Sequence, residues 1–239
     1  MFKESKFRSV IKSVSWRFCA TLTTVTLVLI FTGEADIAFT VGGLEIILKM
    51  LIYFFHERGW DKIKWGKQEI QPCVVWITGL SGSGKTTIAR EVVEKLREKG
   101  LKVDHLDGET VRNIFPETGF TRSEVNEHIK RVGYLASRLE NNGIFVVASF
   151  LSPFKESREF VRGLCNNFVE IHLSTPIEIC EKRDTKNLYS MARKGIIKNL
   201  PGIDVDYEES ENTELLIDAG VLSVVDATDV VYDYLKRYF

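Results

Sequence analysis

The chain has 239 residues, 44% hydrophobic and 27% charged, with a formal net charge of −1. That length accommodates one α/β domain plus a smaller unit, and the near-neutral balance argues against a nucleic-acid partner, which calls for a strongly basic face. Cys19, Cys73, Cys165 and Cys180 form no C-x-x-C pair, and the four histidines show no metal-ligand spacing; the cysteines read as reduced intracellular thiols rather than a disulfide or zinc framework.

The charge is unevenly divided. Ten Lys/Arg face seven Asp/Glu over residues 1–71, giving +3, and 22 face 26 over residues 72–239, giving −4. In the first part, residues 18–32 and 37–55 are two mostly apolar runs separated by the polar turn Gly33-Glu34-Ala35-Asp36. At helical rise they span roughly 22 Å and roughly 28 Å, so the second matches a bilayer core and the first needs residues 14–17 to extend it. Trp16 then falls at the interface, with Arg17 snorkelling outward. Lys3, Lys6, Arg8, Lys12 and Arg17 flank the first run, and Arg58, Lys62, Lys64 and Lys67 follow the second. Basic ends and an acidic turn put both ends on the cytoplasmic side. The expectation is a transmembrane helical hairpin over residues 1–67 in the inner (cytoplasmic) membrane, with both termini cytoplasmic and the lipid bilayer as a partner. A signal peptide would export the domain that follows, and two buried helices of a soluble domain fit the same lengths. Glu45 and Lys49, spaced i,i+4 inside the second run, can pair on one helix face. They read as a structural pair or an oligomer contact before a transport or proton-relay role. With Ser15-Trp16-Arg17, residues 53–60 and Trp65-Gly66, this pair resembles a small two-helix membrane family of unknown function.

Residues 73–78 are a short apolar, β-branched run that predicts a buried parallel strand. Gly79-Leu80-Ser81-Gly82-Ser83-Gly84-Lys85-Thr86 follows, a complete G-x-x-x-x-G-K-[ST] loop, and residues 85–99 carry apolar positions at helical spacing up to Gly100. Glycines let the backbone N–H groups curl around phosphate oxygens, and the helix N-terminus adds a favourable dipole. Lys85 would reach the β/γ-phosphates of ATP and Thr86 would offer its hydroxyl to Mg²⁺, with Thr87 beside them.

Beyond the loop, strands are predicted at 101–106, 144–150, 168–174 and 214–217, with helices at 109–115, 121–141, 155–165, 176–182 and 226–238. Alternation of this kind implies an α/β fold, a P-loop NTPase-type parallel sheet with helices on both faces. Ligands then bind beyond the carboxyl ends of the strands. Asp107, Glu109 and Arg112 follow the second strand, where a carboxylate can hold Mg²⁺ or orient a hydroxyl and an arginine can grip an anion. Asp107 as a simple helix cap is the plainer alternative. Leu151 and Ser152 end the third strand. Residues 181–198 form a basic segment that suits a lid or a solvated face, with Arg183 expected beside the loop on the ATP and Lys198 further along.

In order, the loop, Leu106-Asp107-Gly108-Glu109-Thr110-Val111-Arg112, Gly119-Phe120, Phe150-Leu151-Ser152-Pro153-Phe154 and Cys180-Glu181-Lys182-Arg183-Asp184 resemble the adenylylsulfate kinase family from about residue 71 onward. The resemblance implies γ-phosphoryl transfer from ATP to the 3′-hydroxyl of adenosine 5′-phosphosulfate. It also implies Lys85, Asp107, Glu109 and Ser152 as reacting-site residues. Arg112, Phe120, His128, Lys130, Arg131, Leu151, Ser152 and Lys198 would hold the acceptor, with Phe120 stacking on its base, and Ser152 corresponds to a serine described in some members as a phosphorylated intermediate. A homodimer is left open. The departures fall on the acceptor side: Val125 stands where the family usually has an arginine, His128 where it has an asparagine, Glu109 for aspartate and Pro201 for threonine. A related kinase acting on another nucleotide, such as a cytidine diphosphate derivative, and an ATP-binding membrane-assembly protein without transfer are the alternatives.

Overall fold

The computed structural model describes residues 6–62, 70–115 and 118–239. The chain divides into two compact units, Met1–Lys67 and Gln68–Phe239, each described by itself.

The first unit is two helices, α1 (Lys6–Thr32) and α2 (Ala35–Lys62). The turn between them is shorter than the sequence suggested, because Ala35 and Asp36 already belong to α2, whose first turn gains from the Asp36 carboxylate at its positive end. Gly33 closes α1 in the left-handed region and donates its N–H to Leu29 O at 2.9 Å. The helices touch along a narrow seam. Ala38 and Gly42 are buried, and a Cβ on Gly42 would lie 2.5 Å from Val25 Cγ2, so the Val25 side chain packs directly on the glycine and a larger residue there would have to displace it. Thr24 Oγ1 donates to Glu45 Oε1 at 3.0 Å, and Glu45 also pairs with Lys49. Phe39, Leu44, Leu48 and Phe55 point outward. By length and composition Ala35–Phe55 is apolar enough to cross a membrane, while Ala20–Thr32 is shorter. The expectations for Trp16 and for the side chains of Lys3, Lys6, Arg8, Lys12, Lys62, Lys64 and Lys67, like the 67/68 boundary, lie outside the described residues.

The second unit is a parallel sheet of five strands in the order β2-β3-β1-β4-β5: β1 (Val74–Gly79), β2 (Val103–Asp107), β3 (Phe145–Ser149), β4 (Phe168–Leu173) and β5 (Leu215–Ile217). All residues of β1, β3 and β4 are buried, as expected of strands covered on both faces. One face packs on α3 (Lys85–Glu98) and α9 (Val224–Leu235) through Ile88, Val92, Ala227 and Val231. The other packs on α5 (Arg122–Asn141) and α6 (Lys155–Leu164) through Ile129, Val132, Ala136 and Val161. A capping box between Thr121 and Glu124 starts α5. Short α4 (Gly108–Ile114) follows β2, and α7 (Ile177–Lys182) follows β4.

The basic segment after α7 is more ordered than a solvated strip. It contains α8 (Leu188–Arg193), a helix the sequence pattern did not predict, and Tyr189, Ala192 and Leu200 bury themselves with Cys180 against Leu80. The helix is six residues long, under two turns, too short a run for a helical period to emerge.

Candidate active site

The phosphate loop leaves β1 at the carboxyl edge of the sheet. Gly79, Gly82 and Gly84 all have positive φ, and a Cβ on Gly82 would stand 2.6 Å from Cys180 O, so this turn admits only glycine. Gly84 precedes α3 with no side chain capping it, which leaves the first N–H groups of the helix open to an anion. Lys85 Nζ folds back onto Leu80 O at 2.6 Å. Burial lowers its ammonium pKa to about 8, against the opposing pull of Cys180 and Asp107. Tyr189 OH donates to Ser81 O at 2.7 Å, tying the basic segment to the loop.

A cleft of about 640 Å³ opens here, lined by residues 81–88, Arg183, Ala219, Leu222, Ser223 and Val224. Ser81, Gly82, Ser83, Gly84, Lys85, Thr86, Thr87 and Arg183 were expected together, and the structure brings them together. Arg183 also donates to Ala219 O at 3.1 Å. The far wall from Ala219 to Val224 was missed by sequence reasoning. Ser223 followed three residues later by Asp226 was the available signal: Ser223 Oγ accepts Asp226 N–H at 3.1 Å and starts α9.

Asp107 does two jobs at once. Its Oδ1 accepts the N–H groups of Glu109 and Thr110 at 3.1 and 3.2 Å, capping α4. Its Oδ2 accepts Thr86 Oγ1 at 3.0 Å and Ser149 Oγ at 3.3 Å. Burial would raise its pKa, but the hydrogen bonds from Thr110 and Thr86, the nearby His105 and the bond from Glu109 outweigh it, and the carboxyl lies below its ordinary value. Glu109 is paired instead with Lys186, 2.6 Å away in the basic segment, and both side chains are exposed. Lys186 was not among the expected site residues.

Arg112 is no free surface arginine. It donates to Thr118 O at 3.1 Å and its guanidinium lies 4.4 Å from the centre of the Phe120 ring, which is 61% exposed. Behind them His128 is buried between Phe115 and Phe150, with Nδ1 3.4 Å from Thr118 Oγ1. Burial first, then Arg112 and Arg131, lower its pKa to about 4, so the imidazole is neutral at pH 7. Val125 packs on the core.

Other expected residues have surroundings of their own. Ser152 is 1% exposed with φ +39°, and its Oγ accepts Trp76 Nε1 at 3.0 Å, so the hydroxyl faces the interior rather than a ligand. Leu151 contributes its carbonyl to Thr78 Oγ1 at 2.7 Å. Lys130 is held by Glu156 at 2.7 Å over the Phe160 ring. Arg131 and Lys198 are exposed, and Lys198 makes no hydrogen bond or ion pair among the described residues. Among the described residues no three His, Cys, Asp or Glu gather as a metal centre. The oxygen pair Thr86/Asp107 still fits a hard divalent cation that takes its other ligands from phosphates and water.

The chain has counterparts among known proteins. Residues 10–61 match the predicted membrane protein family DUF2061. The adenylyl-sulfate kinase of Halothermothrix orenii is 41% identical over 164 residues, 68% of this chain and 89% of that protein. That of Shewanella pealeana is 40% identical over 185 residues, 76% of this chain and 90% of its own. The structure of the Mycobacterium tuberculosis APS kinase CysC in complex with AMPPNP and APS superposes with a TM-score of 0.67 at 34% identity, covering 70% of this chain and 99% of that one. The hexameric APS kinase of Thiobacillus denitrificans covers 72% of this chain and 30% of its own at 28% identity, with a TM-score of 0.55. With residues 71–218 matching the adenylylsulphate kinase family, this chain belongs to that family of kinases.

Proposed function

We propose that this chain transfers the γ-phosphoryl group of ATP to the 3′-hydroxyl of adenosine 5′-phosphosulfate. In this reading a kinase domain over residues 68–239 works on the cytoplasmic side of the inner membrane, held there by the two helices of residues 1–67. The observation that carries the reading is the hydrogen bond from Thr86 to Asp107, which sets a carboxylate beside the phosphate loop. Arg112 and Phe120 begin five and 13 residues further along the chain.

The open N–H groups at the start of α3 and Lys85 bind the phosphates, while Arg183, Leu222 and Val224 border the rest of the nucleotide cleft. Thr86 and Asp107 would hold the Mg²⁺ that accompanies ATP, which would supply charge neutralisation at the transferring group. Asp107 orients the acceptor hydroxyl and takes its proton. Phe120 offers an exposed ring for base stacking, backed by Arg112. Tyr189 fastens the basic segment to the loop, and Lys186 reaches Glu109 from the same segment. The transfer is direct and needs no phosphorylated Ser152, whose hydroxyl is held by Trp76.

A second reading, another nucleotide acceptor such as a cytidine diphosphate derivative, is favoured by one observation. Val125 and His128 both face inward, so neither supplies the cationic grip expected of an arginine at 125. An ADP-release assay on the full chain with Mg-ATP and a panel of nucleotides tests both. Turnover confined to adenosine phosphosulfate supports the first reading, and turnover on a different nucleotide overturns it. The membrane reading predicts that the protein sediments with inner membranes and that external protease reaches neither terminus in intact cells.

A further inference from the structure

His105 and Asp107 are two residues apart on β2, so their side chains leave the strand on the same face. The parallel register sets Asp107 beside Ser149 of β3. His105 Nε2 is 3.1 Å from Ser149 Oγ, and Ser149 Oγ is 3.3 Å from Asp107 Oδ2, the oxygen that also accepts Thr86. The directions follow from the inventory of protons. An ionised carboxylate only accepts, and a hydroxyl has one proton to give. Ser149 therefore gives its proton to Asp107 and takes a hydrogen bond from His105 Nε2–H.

We propose that His105 is a positioning residue for the transfer: acting through Ser149, it holds Asp107 Oδ2 toward Thr86 while Oδ1 stays on the cap of α4. The cap alone fixes only one carboxylate oxygen. A rotation about the terminal bond of the aspartate is broad and soft, so the second oxygen needs donors of its own to stay aimed at the loop. Thr86 is one, but it belongs to the ligand-binding loop and serves the cation and phosphates when they bind. Ser149 is the donor that remains, and with His105 Nε2–H donating to it the single hydroxyl proton has Asp107, not the imidazole, as its acceptor. Partners one shell behind a ligating carboxylate, when removed, typically cost about 10–100-fold in metal affinity or activity.

This inference rests on the kinase reading above, with Asp107 at the transfer point. The test uses the full chain in detergent, with His105→Leu, His105→Gln, Ser149→Ala and the double variant His105→Leu/Ser149→Ala. Two quantities are read: kcat and KM for transfer, and the gain in affinity for a fluorescent ATP analogue on adding Mg²⁺ in the absence of acceptor. His105→Leu should lower kcat about 10–100-fold with KM for the acceptor within about twofold, and should shrink the Mg²⁺-linked gain by a similar factor. His105→Gln, whose amide N–H can still donate to Ser149, should restore both to within about threefold. Ser149→Ala should match His105→Leu, and the double variant should be no worse than either. The proposal is overturned if His105→Leu leaves both quantities unchanged, if Gln fails as badly as Leu, or if the two losses multiply in the double variant. Should the acceptor be misassigned, wild type shows no turnover on adenosine phosphosulfate, yet the Mg²⁺-linked comparison still decides the role of His105. Nitrogen NMR of the ligand-free protein adds a direct readout: His105 protonated on Nε2 is expected, and on Nδ1 alone overturns the proposal.

Discussion

Thr86 Oγ1 stands 3.0 Å from Asp107 Oδ2, so one hydrogen bond joins the first turn of the phosphate-loop helix to the carboxyl end of β2. The two residues come from the first two βα connections of a parallel sheet, whose strands β1 and β2 have β3 between them, and both lie at the carboxyl edge where ligands collect. Asp107 spends its other oxygen on the cap of α4, so the same side chain shapes the fold and the site.

That division makes Asp107→Asn informative. Asparagine caps a helix about as well as aspartate, so the start of α4 is kept and thermal stability should fall by no more than about 1–2 kcal/mol, for the bonds lost at Oδ2. The charge that receives the acceptor proton is gone, and ADP release should fall at least about 100-fold. Loss of stability in step with activity would instead make Asp107 a cap and nothing more.

Lys85 sets a pH limit on nucleotide binding. Its pKa of about 8 in the free protein results first from burial, and phosphate binding requires the protonated form. Affinity for an ATP analogue should be flat below about pH 7 and weaken toward tenfold per pH unit above 8. Fluorescence titrations from pH 6.5 to 9.5 check this, and Lys85→Ala should bind weakly without that slope.

The nucleotide half of the site was legible because its chemistry is local. Residues 79–86 carry the turn, the lysine and the hydroxyl in one contiguous stretch, and the strand before and helix after are where the pattern predicts them. Asp107 and Arg112 were legible as residues following a strand end, although the double role of Asp107 was not. What the sequence hid depends on packing between distant segments. Ser152 turns inward because Trp76, 76 residues earlier, offers its indole N–H. Lys130 is diverted by Glu156 from the next helix, and Lys186 finds Glu109 across 77 positions. No spacing rule contains those pairings.

His128 should make the fold acid-sensitive. Its folded pKa of about 4 lies below the unfolded value near 6.5, because burial and the charges of Arg112 and Arg131 disfavour the imidazolium. Between those pH values the unfolded chain binds the extra proton. Stability is therefore fully present above about pH 6.5 and is lost as pH falls toward 4, by on the order of 2–3 kcal/mol. Thermal denaturation of wild type and His128→Asn at pH 7.5 and 5 checks this. The variant should lose distinctly less stability than wild type over that interval, and equal losses would assign the acid sensitivity to other groups.

Val125 is the position at which the two acceptor readings part. Its side chain is half-buried on the core cluster that includes Val111 and Ile129, one turn before His128 on α5. In Val125→Arg the aliphatic stem can keep that contact while the guanidinium extends outward, at a cost of about 1 kcal/mol or less. A charge-assisted bond to an anionic acceptor contributes about 1.5–3 kcal/mol, which outweighs the packing cost. If adenosine phosphosulfate is the acceptor, its KM should fall about tenfold or more in the variant while KM for ATP stays within about twofold. An unchanged KM for adenosine phosphosulfate, with turnover on another nucleotide impaired, would identify Val125 as part of a pocket shaped for that other acceptor.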